Sequence, residues 1–372
     1  MKIAQIAPLW ERVPPRFYGG TERIVSYLTE ELVRQGHQVT LFASADSQTS
    51  ARLQPAMSQA LRLSGMINPD VPFTLMQEMA FGHEAEQFDI IHSHLDCLGF
   101  PMSRRCVTPV LTTLHGQLDL RELLPIFEEF SELPLCSISN AQRIPLPHQN
   151  WQGTVYHGLP DVYPYFGQPG SYLAFLGRMA PEKRPDHAIE IARRAGIPLR
   201  MAAKVDPANR EYFEAEIAPL LKDPLIDYIG EISEAEKGDF LGQAAAVLCP
   251  YDWPEPFGLV LIEALACGTP VLAYRRGSIP EIIDHGVTGF ICENPAEMVS
   301  ALKQLPSIAR QHCRQAFEAQ FTVRRMARDY VSLYEKIMDQ QNRPFTQRRA
   351  RQTSPRTRSA DMNNISGQEK AA

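Results

Sequence analysis

No stretch of this chain reaches the roughly 18 consecutive apolar residues that a membrane-spanning helix needs. Its seven cysteines, at positions 97, 106, 136, 249, 267, 292 and 313, include no Cys-x-x-Cys pair. That excludes a zinc knuckle, and an odd, scattered set fits reduced thiols better than a disulfide framework. A positive excess is missing as well: Lys and Arg total 37 against 43 Asp and Glu, a formal charge of −6. No global field therefore draws nucleic acid, and no nucleic-acid partner is expected. The glycine fingerprint G-x-G-x-x-G is absent, which weighs against a dinucleotide-dependent dehydrogenase. Residues 1–8 are too short and, at Gln5, too interrupted for a secretory signal, so the expected location is the cytoplasm.

What is present is a 372-residue, 41.9 kDa chain of ordinary globular composition, 44% hydrophobic and 22% charged. At about 150 residues per domain this implies two domains. Residues 2–7 read as a buried strand, followed by a proline-rich loop to Gly19-Gly20. Thr21 is placed to cap a helix with Ile24, Leu28 and Leu32 on one face and Gly36 beyond its end. A strand over 39–43 completes a βαβ unit, whose ligands gather at the carboxyl ends of its strands. Further strands are expected at 88–92, 110–114, 135–138 and 154–157, while 44–84 has no clean period and receives no element. Pro160, Pro164 and Pro169 mark a linker. A second alternation follows, with strands at 172–176, 199–203, 226–229 and 247–249 and helices at 185–195, 208–222 and 256–266. Val323, Met326, Tyr330, Tyr334 and Ile337, spaced 3, 4, 4 and 3, form a helical stripe that must pack on something.

The run Glu255-Pro-Phe257-Gly258-Leu259-Val260-Leu-Ile-Glu263 is the most informative. A helix apolar on every face but one is a buried helix. Glu263 then requires a ligand's hydroxyl pair or a basic neighbour, because an unpaired carboxylate is costly there. A structural glutamate at the helix edge is the alternative. Glu255 lies eight positions earlier, about 12 Å along a helix, beyond the ~5–9.5 Å of glycosidase carboxylate pairs. That spacing suits the two ends of an elongated ligand such as a nucleoside diphosphate sugar, with the amides near Gly258 to Val260 facing an anion. Arg178 and Lys183, after the first strand of the second half, offer a planar fork and a point charge to a diphosphate; a solvated surface pair is the alternative. Gly19 and Gly20 allow backbone to approach phosphate closely, or form a simple turn. His115 ends a strand where a cleft should lie. His92 and His94 share one strand face, as cleft wall or as a metal pair.

Taken in order, Tyr-Gly-Gly-Thr-Glu-Arg, Thr-Leu-His115-Gly, Gly-Arg178 to Lys183 and Glu255 to Glu263 resemble the motifs of the retaining glycosyltransferases of family 4, the group 1, glycogen synthase-like enzymes. The resemblance spans about residues 1–340 and implies an α/β chain of GT-B architecture, two facing Rossmann-like domains with a cleft between them. Its expected division is an acceptor-binding domain over 1–167, a donor-binding domain over 168–322 and a returning helix over 323–340. It also implies roles: Arg178 and Lys183 at the diphosphate, Glu263 at the ribose, and Glu255 with the amides of Phe257 to Val260 at the sugar and phosphate. Gly20 would approach the phosphates from the other domain, His115 would contact the sugar, and Glu231 and Ile232 would lie near the base. No metal or cofactor is implied, and no Asp-x-Asp pair is present to hold a metal; the nucleotide sugar, UDP-linked by preference, is a co-substrate. The acceptor is an unassigned hydroxyl on a glycan, glycolipid or small molecule. Alternatives are a sugar-nucleotide epimerase and a noncatalytic sugar-nucleotide-binding protein.

Residues 341–372 change character: six arginines and no acid between 343 and 358. They read as a disordered basic tail, with at most weak peripheral contact to anionic lipid.

Overall fold

The computed structural model describes residues 1–66 and 68–342. Most of the basic segment, 343–372, lies outside the described residues.

Two all-parallel sheets carry the chain. The first contains β1 (Lys2–Ile6), β2 (Gln38–Ser44), β3 (Arg52–Met57), β4 (Ile90–Ser93), β5 (Val110–Thr113), β6 (Leu135–Ser137) and β7 (Trp151–Thr154), in the order β3-β2-β1-β4-β5-β6-β7. The second contains β8 (Tyr172–Arg178), β9 (Leu199–Lys204), β10 (Ile226–Gly230), β11 (Ala244–Cys249), β12 (Val271–Tyr274) and β13 (Gly289–Cys292), in the order β10-β9-β8-β11-β12-β13. The central strands are short and buried on both faces, as parallel strands covered by helices must be, and in the first sheet their carboxyl halves turn polar, with His92, Ser93, Thr112 and Thr113 buried beside apolar neighbours. Gln5 is likewise fully buried, in the middle of β1.

The helix Gly20–Arg34 buries Ile24, Leu28 and Leu32, and Gly36 takes the left-handed conformation beyond its end (φ +87°). Thr21 does not cap it. The N-cap is Gly19, without a side-chain bond, and Thr21 falls inside the first turn. The final helix, Val323–Asn342, lays Met326, Tyr330, Tyr334 and Ile337 against Ile3, Ile24, Leu28 and Ile90, so its stripe closes the core of the first sheet.

Other sequence expectations are corrected. Residues 44–84 do hold structure: β3 at the sheet edge, where Pro55 costs no ladder bond, and the helix Asp70–Gln77. The strand expected at 154–157 ends at Thr154, because the chain then leaves the sheet to meet residues 321–323: Leu159 donates to Phe321 and accepts from Val323. The expected helix 208–222 is broken into single turns, including a wide turn over Phe213–Ile217, with Pro219 unable to continue a helical ladder. The expected helix 256–266 begins only at Leu259, since Gly258 sits at φ +85°. Glu255 is therefore on a loop, and a helical measure of its distance from Glu263 does not apply.

Candidate active site

Both sheets reverse their strand order beside their first strand: β1 lies between β2 and β4, and β8 between β9 and β11. In open α/β sheets the crevice at such a switch point is where ligands sit. Here the two crevices converge on one cavity of about 430 Å³. The thirteen residues expected at the donor or the reacting centre line it: Gly19, Gly20 and His115 from the first sheet's loops, and Arg178, Lys183, Glu231, Ile232, Glu255, Phe257, Gly258, Leu259, Val260 and Glu263 from the second's.

Lys183 and Glu255 form a tight, largely buried ion pair. The ammonium also lies 4.0 Å from the ring centre of Tyr251 and 4.8 Å from that of Trp253, whose Nε1 donates to Glu255 at 3.0 Å. The Glu255 loop is fixed from behind: Ser278 donates its amide to the Glu255 carbonyl at 2.9 Å, and Gly277 passes so close that a Cβ there would meet that backbone at 2.3 Å. Arg178 is less enclosed. It bonds Glu182 at 2.7 Å and approaches Asp206 at 3.7 Å, while its Nε is buried without a partner.

Glu263 is buried, and its basic neighbour is Lys237, whose Nζ donates to Oε1 at 2.8 Å. The Tyr163 hydroxyl lies 3.3 Å from the same oxygen but makes its shorter bond to Glu234, and Oε2 has no partner. Lys237 also bonds Glu234 at 3.0 Å, which in turn pairs with Arg23 at 3.1 Å and accepts from Tyr27 at 3.1 Å. Burial would strip charge from both Glu234 and Lys237. The surrounding opposite charges outweigh it, holding the Glu234 carboxyl below and the Lys237 ammonium above their ordinary values. Arg23 and Tyr27 come from the first half of the chain, so this network bridges the two sheets. Glu231 does the same on a smaller scale, accepting the Tyr18 amide at 3.0 Å.

The sequence assigned no role to Arg23, His157, Glu234 or Lys237. For the last two a signal existed: Ser233 and Glu236 form a capping box that starts the helix Glu234–Gly242 and fixes where Lys237 points. His157 carried none. It lines the cavity, stacks on His115 with ring centres 5.4 Å apart, meets Phe257 edge-on at 4.8 Å, and has a buried Nδ1 without a partner. Burial pushes the His115 imidazole down to about 3, so the ring is neutral in ordinary buffers.

His92 and His94 form neither the cleft wall nor a metal pair. Both are buried behind the cavity, His92 between Tyr334 and Thr113 at 2.7 Å each, and His94 between His115 and Gln5 at 2.8 Å each. Among the described residues no group of three or more His, Cys, Asp or Glu side chains is gathered as a metal-ligand set. Nor, among them, is any helix long and apolar enough to cross a membrane.

Two family models match the chain: "Glycosyl transferases group 1" over residues 167–316 and "Glycosyltransferase Family 4" over residues 18–144. The D-inositol 3-phosphate glycosyltransferase of Mycolicibacterium smegmatis is 25% identical over 401 aligned positions, covering 91% of this chain and 92% of that one. Among solved structures, sucrose-phosphate synthase from Thermosynechococcus elongatus superposes with a TM-score of 0.75 at 18% identity, covering 91% of this chain and 100% of that one. Anabaena HepE in complex with UDP and glucose superposes with a TM-score of 0.70 at 17% identity, covering 90% and 100%. These likenesses establish the shared fold, two Rossmann-like halves facing a cleft.

Proposed function

The chain belongs to the group 1, family 4 glycosyltransferases, and from that premise we propose that it moves a sugar from a UDP-sugar to a hydroxyl acceptor with retention of configuration and without a bound metal. One observation carries the reading. A single cavity brings together an unpartnered carboxylate oxygen at Glu263, the cations Arg178 and Lys183, and the N-terminus of the helix Leu259–Ala266. These suit, in turn, a ribose hydroxyl, a diphosphate and the phosphate nearest the sugar. UDP is favoured because HepE, of the same fold, is known with UDP and with UDP-glucose bound.

In the proposed reaction the bond between the sugar's anomeric carbon and the diphosphate oxygen breaks, and the acceptor oxygen bonds to the same face of that carbon. The acceptor's proton passes to the departing phosphate oxygen, leaving a nucleoside diphosphate and a glycoside. Arg178 takes the charge that develops on the leaving group. Lys183, already neutralised by Glu255, shares its ammonium between that carboxylate and the phosphate. Charge stabilisation by these two cations stands where a metal ion would otherwise act. The acceptor belongs to the first half's side of the cavity, where Trp10, Phe17 and Arg62 line the mouth.

The test is a thermal-shift and hydrolysis screen against UDP-, GDP-, ADP- and TDP-sugars with EDTA present. A ligand at about 100 times its Kd adds about 2.7 kcal/mol of stability, enough to see. Stabilisation by UDP-sugars alone supports the reading. Stabilisation only after a divalent ion is added defeats the metal-free part of it.

A further inference from the structure

Gln5 is the one polar side chain buried in the middle of β1, and the placement of its amide oxygen and nitrogen sets the direction of the hydrogen bonds around it. Its Oε1 is a carbonyl oxygen and can only accept, so His94 must donate to it from Nε2, at 2.8 Å. A neutral imidazole carries one N–H, and burial keeps His94 neutral, its imidazole held well below the ordinary value. The other nitrogen of His94, Nδ1, is then an acceptor. It lies 2.8 Å from Nε2 of His115, which must be the donor. The proton of His115 is thereby committed inward, and Nδ1, which has no partner among the described residues, is left as a lone pair on a ring that lines the cavity.

The same amide orients a second chain. Gln5 Nε2 donates to the Tyr334 hydroxyl at 3.2 Å, whose own proton goes to His92 Nδ1 at 2.7 Å. His92 Nε2 then donates to Thr113 at 2.7 Å, and Thr113 to Tyr330 at 3.2 Å. Both chains follow from one amide, because exchanging its oxygen and nitrogen would reverse them together. The final helix, which supplies Tyr330 and Tyr334, thus carries the far end of this chain.

We propose that Gln5 and His94 are positioning residues that fix the tautomer of His115, so that His115 meets the ligand only as a hydrogen-bond acceptor and selects a hydroxyl there over a carboxylate or phosphate. The ring neither gives nor takes a proton in the reaction. His115 stacks on His157, which itself rests on Phe257 just before the helix Leu259–Ala266; with a diphosphate at that helix's N-terminus, as the proposed function has it, this acceptor would face the sugar. The assignment of that hydroxyl to the transferred sugar rests on the proposed function; the tautomer does not.

Two measurements test it on the full chain. In protein labelled with ¹⁵N-histidine, two-bond proton–nitrogen correlations report each ring's tautomer, and the His115 signals are those lost in His115→Phe. Protonated Nε2 and bare Nδ1 are expected; a ring protonated at Nδ1 overturns the proposal. Calorimetry with UDP and UDP-glucose then compares Gln5→Leu with Gln5→Glu, which keeps an acceptor oxygen for His94. Gln5→Leu should lower UDP-glucose affinity by about tenfold, the scale of one neutral hydrogen bond, with UDP changed by less than about twofold and Gln5→Glu recovering most of the loss. Equal losses for both ligands would mean a merely structural glutamine and overturn the positioning role. Should the wild-type chain bind neither ligand, the UDP-sugar reading fails, and the tautomer measurement alone decides whether Gln5 orients His115.

Discussion

Glu281, beyond β12, reaches the first half of the chain at Asn140: its Oε2 accepts from the backbone amide at 2.8 Å and from the side-chain amide at 3.0 Å. The same carboxylate accepts from the Ala141 amide at 2.7 Å and from the Tyr156 hydroxyl at 2.8 Å. Four donors on one side chain make a latch between the halves on the flank of the cavity. With Glu281→Ala those donors lose a charged acceptor, a loss of about 1–3 kcal/mol given partial solvent access. Urea unfolding should show it, and small-angle scattering should show a larger radius of gyration. An unchanged radius would mean that the other contacts between the halves, at Glu234 and Glu231, hold the cleft without it.

Lys183 and Glu255 cannot be removed one at a time without a second effect. Lys183→Ala leaves Glu255 buried and unpaired, which is expected to cost about 3–5 kcal/mol of stability as well as turnover. In Lys183→Ala/Glu255→Ala the stability should largely return and the turnover should not. Arg178→Ala, at a more open position, should lower kcat with less than about 1 kcal/mol of destabilisation. A rise in KM at unchanged kcat for Arg178→Ala would assign the arginine to ground-state binding instead of leaving-group charge.

Glu263→Gln preserves shape and removes the charge that Lys237 shares. If Oε2 holds a ribose hydroxyl, UDP affinity should fall about tenfold or more, the scale of a hydrogen bond to a charged group. Affinity for 2′,3′-dideoxy-UDP, which cannot make that bond, should barely change. Equal losses for both nucleotides would place Glu263 in the Glu234–Lys237 framework alone.

The parts of this site that could be read from sequence are those where one local rule decides. The all-apolar helix after Gly258 announced a buried Glu263 in need of a partner, and the 3.6-residue stripe of the last helix announced a surface to pack on. The resemblance of four short motifs supplied the order in which they line the cleft. What could not be read depends on approach between distant segments. Lys237 matters because the helix Glu234–Gly242 lies beside the helix Leu259–Ala266, and His157 because the chain leaves β7 early to meet residues 321–323. Gln5 in the strand looked only like an interruption of an apolar run; its partners are 89 and 329 residues away. Thr21 has the chemistry of a cap, but Gly19 occupies that position, and β3 shows no signal because an edge strand with half-exposed residues has no clean alternation.

Glu22 supplies a pH dependence whose sign is fixed by burial. Lining the cavity at the start of its helix, its carboxyl is pushed by burial up to about 7 from 4.5, against an opposing bond from the Glu11 amide at 3.3 Å. A folded value above the unfolded one means that the folded chain keeps a proton that the unfolded chain releases. The stability contributed by this group is therefore whole below about pH 4.5, declines as pH rises, and is gone above about pH 7. Glu22→Gln has no proton to lose, so its stability relative to wild type should rise between pH 4.5 and 8 by on the order of 3 kcal/mol. Urea unfolding of both proteins at a series of pH values measures the difference. Parallel curves would mean that the Glu22 carboxyl titrates in the folded chain as it does in the unfolded one.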